Sequence, residues 1–222
     1  MIEIAIDGPA ASGKGALGKK LSDKYNCPYL DTGILYRKVA YELIKNNIKN
    51  SENLEIPCCN FAKNLNLKEF KNKNLRTEDV AKLASKIAIF PNLRKILNNK
   101  QKEFNNFNKN KFGGCILDGR DIGTTILPNA DFKFFITASI EVRAKRRLLQ
   151  KNISFLHEND EKCMLQTLIN DMKERDKLDS NRKTSPLVPA KDAHVIDTTI
   201  INSQELLLIV TNIIEGKNEL LK

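Results

Sequence analysis

Short apolar runs alternate with longer amphipathic stretches along this 222-residue chain. Ile2-Glu-Ile-Ala-Ile6 is brief and β-branched, and further apolar runs follow at 27–30, 115–117, 132–136 and 195–196. Helical patterns lie between them. Strands that are apolar throughout are those covered on both faces, so the pattern predicts a mostly parallel sheet wrapped by helices, an α/β fold. Two stretches break the alternation. Residues 38–111 hold no convincing core strand and predict helices at 78–90 and 93–107. That is too long for a connection, so an inserted subdomain is expected. Residues 150–183 form a second, highly charged helical segment. The organisation expected is one domain over 1–222 carrying these two additions.

Composition narrows the classes. The chain is 41% hydrophobic and 29% charged, a balance that excludes wholesale disorder. Lys plus Arg number 37 against 27 for Asp plus Glu, a net charge of +10 that favours anionic partners without saying which. No apolar run approaches the ~20 residues of a membrane span, and the first residues read as a strand rather than a secretory signal. Five cysteines (Cys27, Cys58, Cys59, Cys115, Cys163) lack C-x-x-C spacing, and only two histidines exist. A reduced, cytoplasmic chain without a zinc site is expected.

The first run leads into Gly8-Pro-Ala-Ala-Ser-Gly13-Lys14-Gly15 and then a helical stretch. Strand, glycine loop and helix in that order is the setting in which G-x-x-x-x-G-K binds phosphate. Backbone N–H groups point inward, the helix N-terminus adds partial positive charge, and Lys14 reaches the terminal phosphates. Candidate ATP-binding positions are Gly8, Pro9, Ala10, Ala11, Ser12, Gly13, Lys14, Gly15 and Ala16. Such loops usually end in a hydroxyl that contacts Mg²⁺, but here Gly15 and Ala16 offer none. The run 115–117 ends in Asp118, a carboxylate suited to hold Mg²⁺ through water.

Four motifs carry a wider resemblance. Beside the loop stand Asp31-Thr-Gly-Ile-Leu-Tyr-Arg37, Asp118-Gly-Arg-Asp-Ile-Gly-Thr124, and Arg175-Asp-Lys-Leu-Asp179-Ser-Asn-Arg182 with Ser185-Pro-Leu-Val-Pro-Ala190. From Ile2 to about Thr198 the chain resembles the bacterial cytidylate kinases. The resemblance implies a P-loop kinase fold with a five-stranded parallel core, a monophosphate-binding insert (38–111) and a helical lid (150–183). It implies the reaction ATP plus CMP or dCMP to ADP plus CDP or dCDP, with Mg²⁺. No amphipathic dimer stripe stands out, so a monomer is expected. It places Ser85, Arg94 and Asp121 around the cytosine ring, Arg175 and Asp179 beside the sugar, and Arg37, Arg120 and Arg182 near the acceptor phosphate. Thr32 keeps the hydroxyl that many relatives supply with Ser. Lys14, Arg120, Arg175 and Arg182 are the candidate catalytic cations. A carboxylate such as Asp121 accepts a hydrogen bond from the N4 amine of cytosine, which supports the assignment. Longer relatives carry a β-hairpin before Arg76-Thr77, and the stretch 67–75 is too short for it.

Other readings stay open. A uridylate, adenylate or shikimate kinase would share the loop, and Ala16 leaves room for an inactive relative. A GTPase switch would need an Asn-Lys-x-Asp or Thr-Lys-x-Asp motif and an Asp-x-x-Gly motif, and neither is present. A nucleic-acid binder has only the net charge in its favour, without a recognisable motif and with 6% aromatics.

Overall fold

A computed structural model of the protein describes residues 2–48, 53–66, 73–150, 157–182 and 184–216. Five strands, β1 (Ile2–Asp7), β2 (Tyr29–Asp31), β3 (Gly114–Gly119), β4 (Phe132–Thr137) and β5 (His194–Asp197), form one sheet in the order β2-β3-β1-β4-β5. Every adjacent pair is parallel. Helices α1 (Lys14–Tyr25) and α8 (Ser203–Ile214) lie over one face, where Leu17, Leu21, Leu206 and Val210 pack on Ile4, Ile6, Ile116 and Phe134. The other face buries Ala5, Leu30, Cys115 and Leu117 against Ile122, Ile126 and Phe104. Ile4, Ala5 and Ile6 are wholly buried, as the unbroken apolar run required.

Between β2 and β3 come α2 (Gly33–Lys45), α3 (Glu55–Lys63), a 3-10 turn (Lys73–Arg76), α4 (Glu78–Ile87) and α5 (Pro91–Phe112). They bury a core of their own around Leu35, Leu43, Leu75, Ile87, Leu93 and Leu97. After β4, α6 (Ile140–Leu149) pairs with α7 (Glu158–Asn181) through Ala144, Leu148, Leu168 and Met172.

Element ends differ from the periodicity for local reasons. The strand expected at 27–30 begins at Tyr29, because the Cys27 N–H closes the end of α1 on Ser22 O (3.2 Å) and Pro28 has no N–H to give. Helix α4 stops at Ile87, ahead of Phe90, whose extended backbone suits the proline that follows. Pro91 then opens α5, which runs to Phe112 and ends on Gly113 at φ 72°. The shortened hairpin inferred at 67–75 falls largely on 67–72, outside the described residues.

The register sets the strand ends level. Ile6 and Asp31 both pair with Asp118, and Asp7 with Gly119. Asp7, Asp31 and Asp118 therefore emerge together at the carboxyl edge, where open α/β sheets bind ligands. Gly8 turns the chain away from that edge at φ 145°, and a Cβ there would stand 2.0 Å from the Ile136 carbonyl oxygen. Gly8→Ala is expected to cost at least ~2 kcal/mol, read as a lowered urea midpoint at unchanged m-value. A midpoint within error of the parent would contradict this close approach.

Candidate active site

The carboxyl edge opens into a cleft of about 620 Å³ walled by the sheet, the insert helices and α6–α7. Ala10, Ala11, Lys14 and Gly15 form its inner wall. Gly8, Pro9, Ser12 and Gly13 complete the loop behind them, and Ala16 is solvent-exposed. The loop is clamped from outside. The Thr198 hydroxyl donates to Ser12 O (2.9 Å) and accepts from Arg146 Nη1 (2.8 Å). Arg143 reaches Ala10 O (3.4 Å), Ala138 O (3.0 Å) and Asp176 Oδ2 (2.6 Å), tying α7 to the loop. Lys14 is 6% exposed, and its ammonium donates to Pro9 O (2.9 Å). Burial, reinforced by the Arg120 guanidinium, pushes Lys14 well below the usual lysine range.

Asp118 faces Lys14 from the end of β3. Its Oδ2 accepts from the Tyr29 hydroxyl (2.8 Å), and the Thr32 hydroxyl donates to its backbone oxygen (2.8 Å). Burial and the nearby Asp31 carboxylate push Asp118 above the usual carboxylate range. A Cβ on Gly15 would lie 3.5 Å from Asp118 Oδ2, so bare backbone faces this carboxylate. Among the described residues no cluster of three or more metal-ligating side chains gathers. Asp118 with Asp31 still fits a divalent ion of the kind that takes one or two carboxylates and completes its shell with water and phosphate.

The insert supplies one end of the cleft. Arg94 on α5 is 2% exposed, and its Nη2 donates to Asp121 Oδ2 (2.7 Å) while Nη1 donates to Ala88 O (3.1 Å). Its guanidinium lies 5.8 Å from the Tyr36 ring centre. Around this pair, Ser85 Oγ, Arg94 Nε, Tyr36 OH and Gln101 Oε1 are buried without a partner among the described residues. Buried polar atoms are normally paired, so four orphans lining one cleft point to a polar ligand.

Around Asp179 the cleft gathers cations. Asp179 Oδ2 accepts from Arg120 Nε (3.0 Å) and lies 4.0 Å from Arg175 Nε, and Arg182 Nη1 reaches Oδ1 (3.5 Å). Burial opposes the charge on Asp179, yet these three arginines hold its carboxyl below the usual range. Arg175, buried and beside Arg120, is pushed down to about 10. Arg37 donates to Leu75 O (3.1 Å), and its guanidinium is also depressed by burial and Arg147. Of the basic run 143–147, Arg147 lines the cleft, while Arg146 is committed to Thr198. Two ion pairs cross the mouth: Lys82–Asp171 (3.2 Å) and Arg147–Glu78 (3.9 Å).

The structure thus brings Lys14, Thr32, Arg37, Ser85, Arg94, Asp118, Arg120, Asp121, Arg175, Asp179 and Arg182 to one cleft. Sequence reasoning missed Tyr36 and Gln101. Tyr36 follows Thr32 by four residues, and Gln101 follows Arg94 by seven on the same face of α5, spacings that could have flagged both.

A sequence model of the family described as "Cytidylate kinase" matches residues 4–216. The chain is 40% identical over 212 residues to the cytidylate kinase of Bartonella tribocorum, covering 96% of this chain and 94% of that one. It is 40% identical over 219 residues to the cytidylate kinase of Methylocella silvestris, covering 99% and 96%. Among solved structures, an uncharacterised protein of Eubacterium ventriosum superposes with a TM-score of 0.51 at 16% identity, over 97% of this chain and 99% of that one. That likeness speaks to the fold alone.

The depressed Lys14 and raised Asp118 carry a signed consequence. A metal-free triphosphate placed beside both favours their protonated forms, so binding at a pH above the triphosphate's own last ionisation is expected to take up protons. Calorimetry in two buffers of different ionisation enthalpy measures this. A divalent ion drives the proton from Asp118 and reduces the uptake, whereas proton release without metal would contradict the arrangement.

Proposed function

Because the chain belongs to the cytidylate kinase family, we propose that its cleft binds ATP on the loop 8–15 and transfers the γ-phosphoryl group to CMP or dCMP, giving CDP or dCDP. One observation carries the choice of acceptor: the buried Arg94–Asp121 pair, which lines the same cleft as the unpartnered Ser85 Oγ. Asp121 accepts from the N4 amine of cytosine, and Arg94 and Ser85 answer the remaining polar edge of the ring. UMP presents a carbonyl where CMP presents the amine, setting acceptor against acceptor and leaving buried groups unpaired. Tyr36 and Gln101 close the same pocket.

The insert 38–111 holds the acceptor, and the segment 150–183 serves as the lid. Thr32 and Arg37 approach the acceptor phosphate from α2, and Arg120 and Arg182 approach it from the sheet edge and the lid. Arg175 and Asp179 stand by the sugar. An acceptor phosphate oxygen attacks the γ-phosphorus, and the bond to the β–γ bridging oxygen breaks as ADP leaves. No side chain needs to supply a nucleophile. The obstacle is repulsion between two polyanions, and Lys14, the loop amides, Arg120, Arg175 and Arg182 offset it while stabilising charge on the moving phosphoryl. Asp118, with Asp31 adjacent, would hold Mg²⁺ through water. That ion supplies charge neutralisation at the phosphates. The missing hydroxyl at Ala16 leaves Asp118, water and phosphate to hold it. With α7 tied to the loop by Arg143, the lid excludes water that would otherwise hydrolyse ATP. The working unit in this reading is a monomer, placed in the cytoplasm.

Two measurements test this reading. In a coupled assay of ADP formation, CMP and dCMP are expected to exceed UMP, AMP, GMP and shikimate in kcat/KM by ~100-fold or more. A faster rate with UMP or AMP would refute the acceptor assignment, and no turnover with any acceptor would mark an inactive relative. Lys14→Ala is expected to lower kcat by ~100-fold or more while the folded state persists by circular dichroism. Near-normal turnover in that variant would overturn the role given to the loop.

A further inference from the structure

We propose that Asp7 is a positioning residue that locks the segment carrying Arg120 and Asp121 to the strand feeding the phosphate loop, and so sets acceptor recognition. Asp7 closes β1, immediately before Gly8, and is 3% exposed. Its carboxylate turns sideways toward the end of β3. Oδ1 accepts the N–H of Ile122 (2.8 Å), and Oδ2 accepts the N–H of Gly123 (2.7 Å). Both oxygens are thus given to consecutive backbone amides more than a hundred residues away in the chain.

Those amides open a single π-helical turn, Ile122–Ile126, and the residue just before it is Asp121. Single π turns occur frequently at functional sites. Asp121 sits at φ −143°, ψ 27°, outside the regular strand and helix regions, so the turn sets where its side chain points. Two charge-assisted bonds to a buried carboxylate hold that turn more rigidly than neutral bonds would. The approach also leaves little spare room at Gly123. A Cβ on Gly123 would lie 3.4 Å from Asp7 Oδ2, 3.3 Å from Lys133 Cδ and 3.5 Å from Ala190 Cβ. One side chain therefore has the donor loop on its own backbone and the acceptor-facing Arg120-Asp121 under its carboxylate. A displaced turn tilts Asp121 away from Arg94, its partner at 2.7 Å, without touching Lys14's bond to Pro9.

This inference rests on the reading of Asp121 as the group that faces the acceptor base, and the test separates the two. Steady-state kinetics with CMP, UMP and ATP are measured for the parent, Asp7→Asn and Gly123→Ala. The asparagine keeps the shape but turns an NH₂ toward one backbone N–H, and intact mass is checked because an Asn-Gly pair deamidates. The alanine keeps the charge and crowds the grip. Asp7→Asn is expected to raise KM for CMP about tenfold and lower the CMP-over-UMP preference about fivefold, with KM for ATP changed less than about threefold. Gly123→Ala is expected to move both in the same direction by less, and it decides the matter if Asp7→Asn does not fold. A merely structural role lowers Tm and the active fraction but leaves KM and preference unmoved. Parental KM for CMP and parental preference in the folded variants would overturn the proposal, as would an equal rise in both KM values. If the parent itself prefers another acceptor, the reading of the base pocket fails. The Asp7 test is then taken on KM for the preferred acceptor.

Discussion

The Asp179 carboxylate is the contact on which the cation half of the cleft depends. Arg120, Arg175 and Arg182 come from a sheet edge and from the end of α7, and they converge on this one buried acid. Without it, three desolvated guanidinium groups would face one another across a few ångströms of low-dielectric space, at a cost of several kcal/mol per uncompensated charge. One anion against three cations leaves the set deficient in negative charge. Burial first, and the Arg120 guanidinium second, depress Arg175 to about 10. Burial and Arg120 push Lys14 down in the same way at the loop. A phosphorylated ligand relieves both. The folded state thus holds buried positive charge that an anionic ligand would offset.

The parallel sheet brings donor and acceptor chemistry together. Because every strand runs in the same direction and the register keeps their ends level, Asp7, Asp31 and Asp118 emerge along one edge although they are up to 111 positions apart in the chain. The phosphate loop and the Gly119-Arg120-Asp121 segment leave that edge side by side. Everything beyond it is helical among the described residues: α2 to α5 bury their own core and present Ser85, Arg94, Tyr36 and Gln101, and α6–α7 bring Arg147 and Arg175. The two ion pairs across the mouth, Lys82–Asp171 and Arg147–Glu78, are partly exposed and so contribute little to holding the cleft shut.

Much of this was legible beforehand because apolar runs report burial directly. Strands covered on both faces are mostly apolar, which marked β1 and β3, and Asp118 stood out as the acid ending one run. The run at 195–196 also marked a strand, although it lies at the sheet edge with Val195 60% exposed. The strand expected at 27–30 was displaced by two residues because hydropathy does not register that Cys27 finishes the preceding helix. Long-range partners were less accessible. Nothing in the run 143–147 distinguishes Arg146 from Arg147, yet one binds the Thr198 backbone and the other lines the cleft, since a step of one residue turns a helical side chain by about 100°.

The order of strands and helices, the phosphate loop with its missing hydroxyl and the family are properties of the linear chain. They depend on local periodicity and on residue types at fixed spacing, which survive without any knowledge of neighbours in space. The pairing of Arg94 with Asp121, the convergence of three arginines on Asp179 and the grip of Asp7 on Ile122 and Gly123 belong to the tertiary structure. Each joins groups whose energies are set by burial and distance. Those quantities exist only after the sheet has brought its strand ends level and the helices have closed around them.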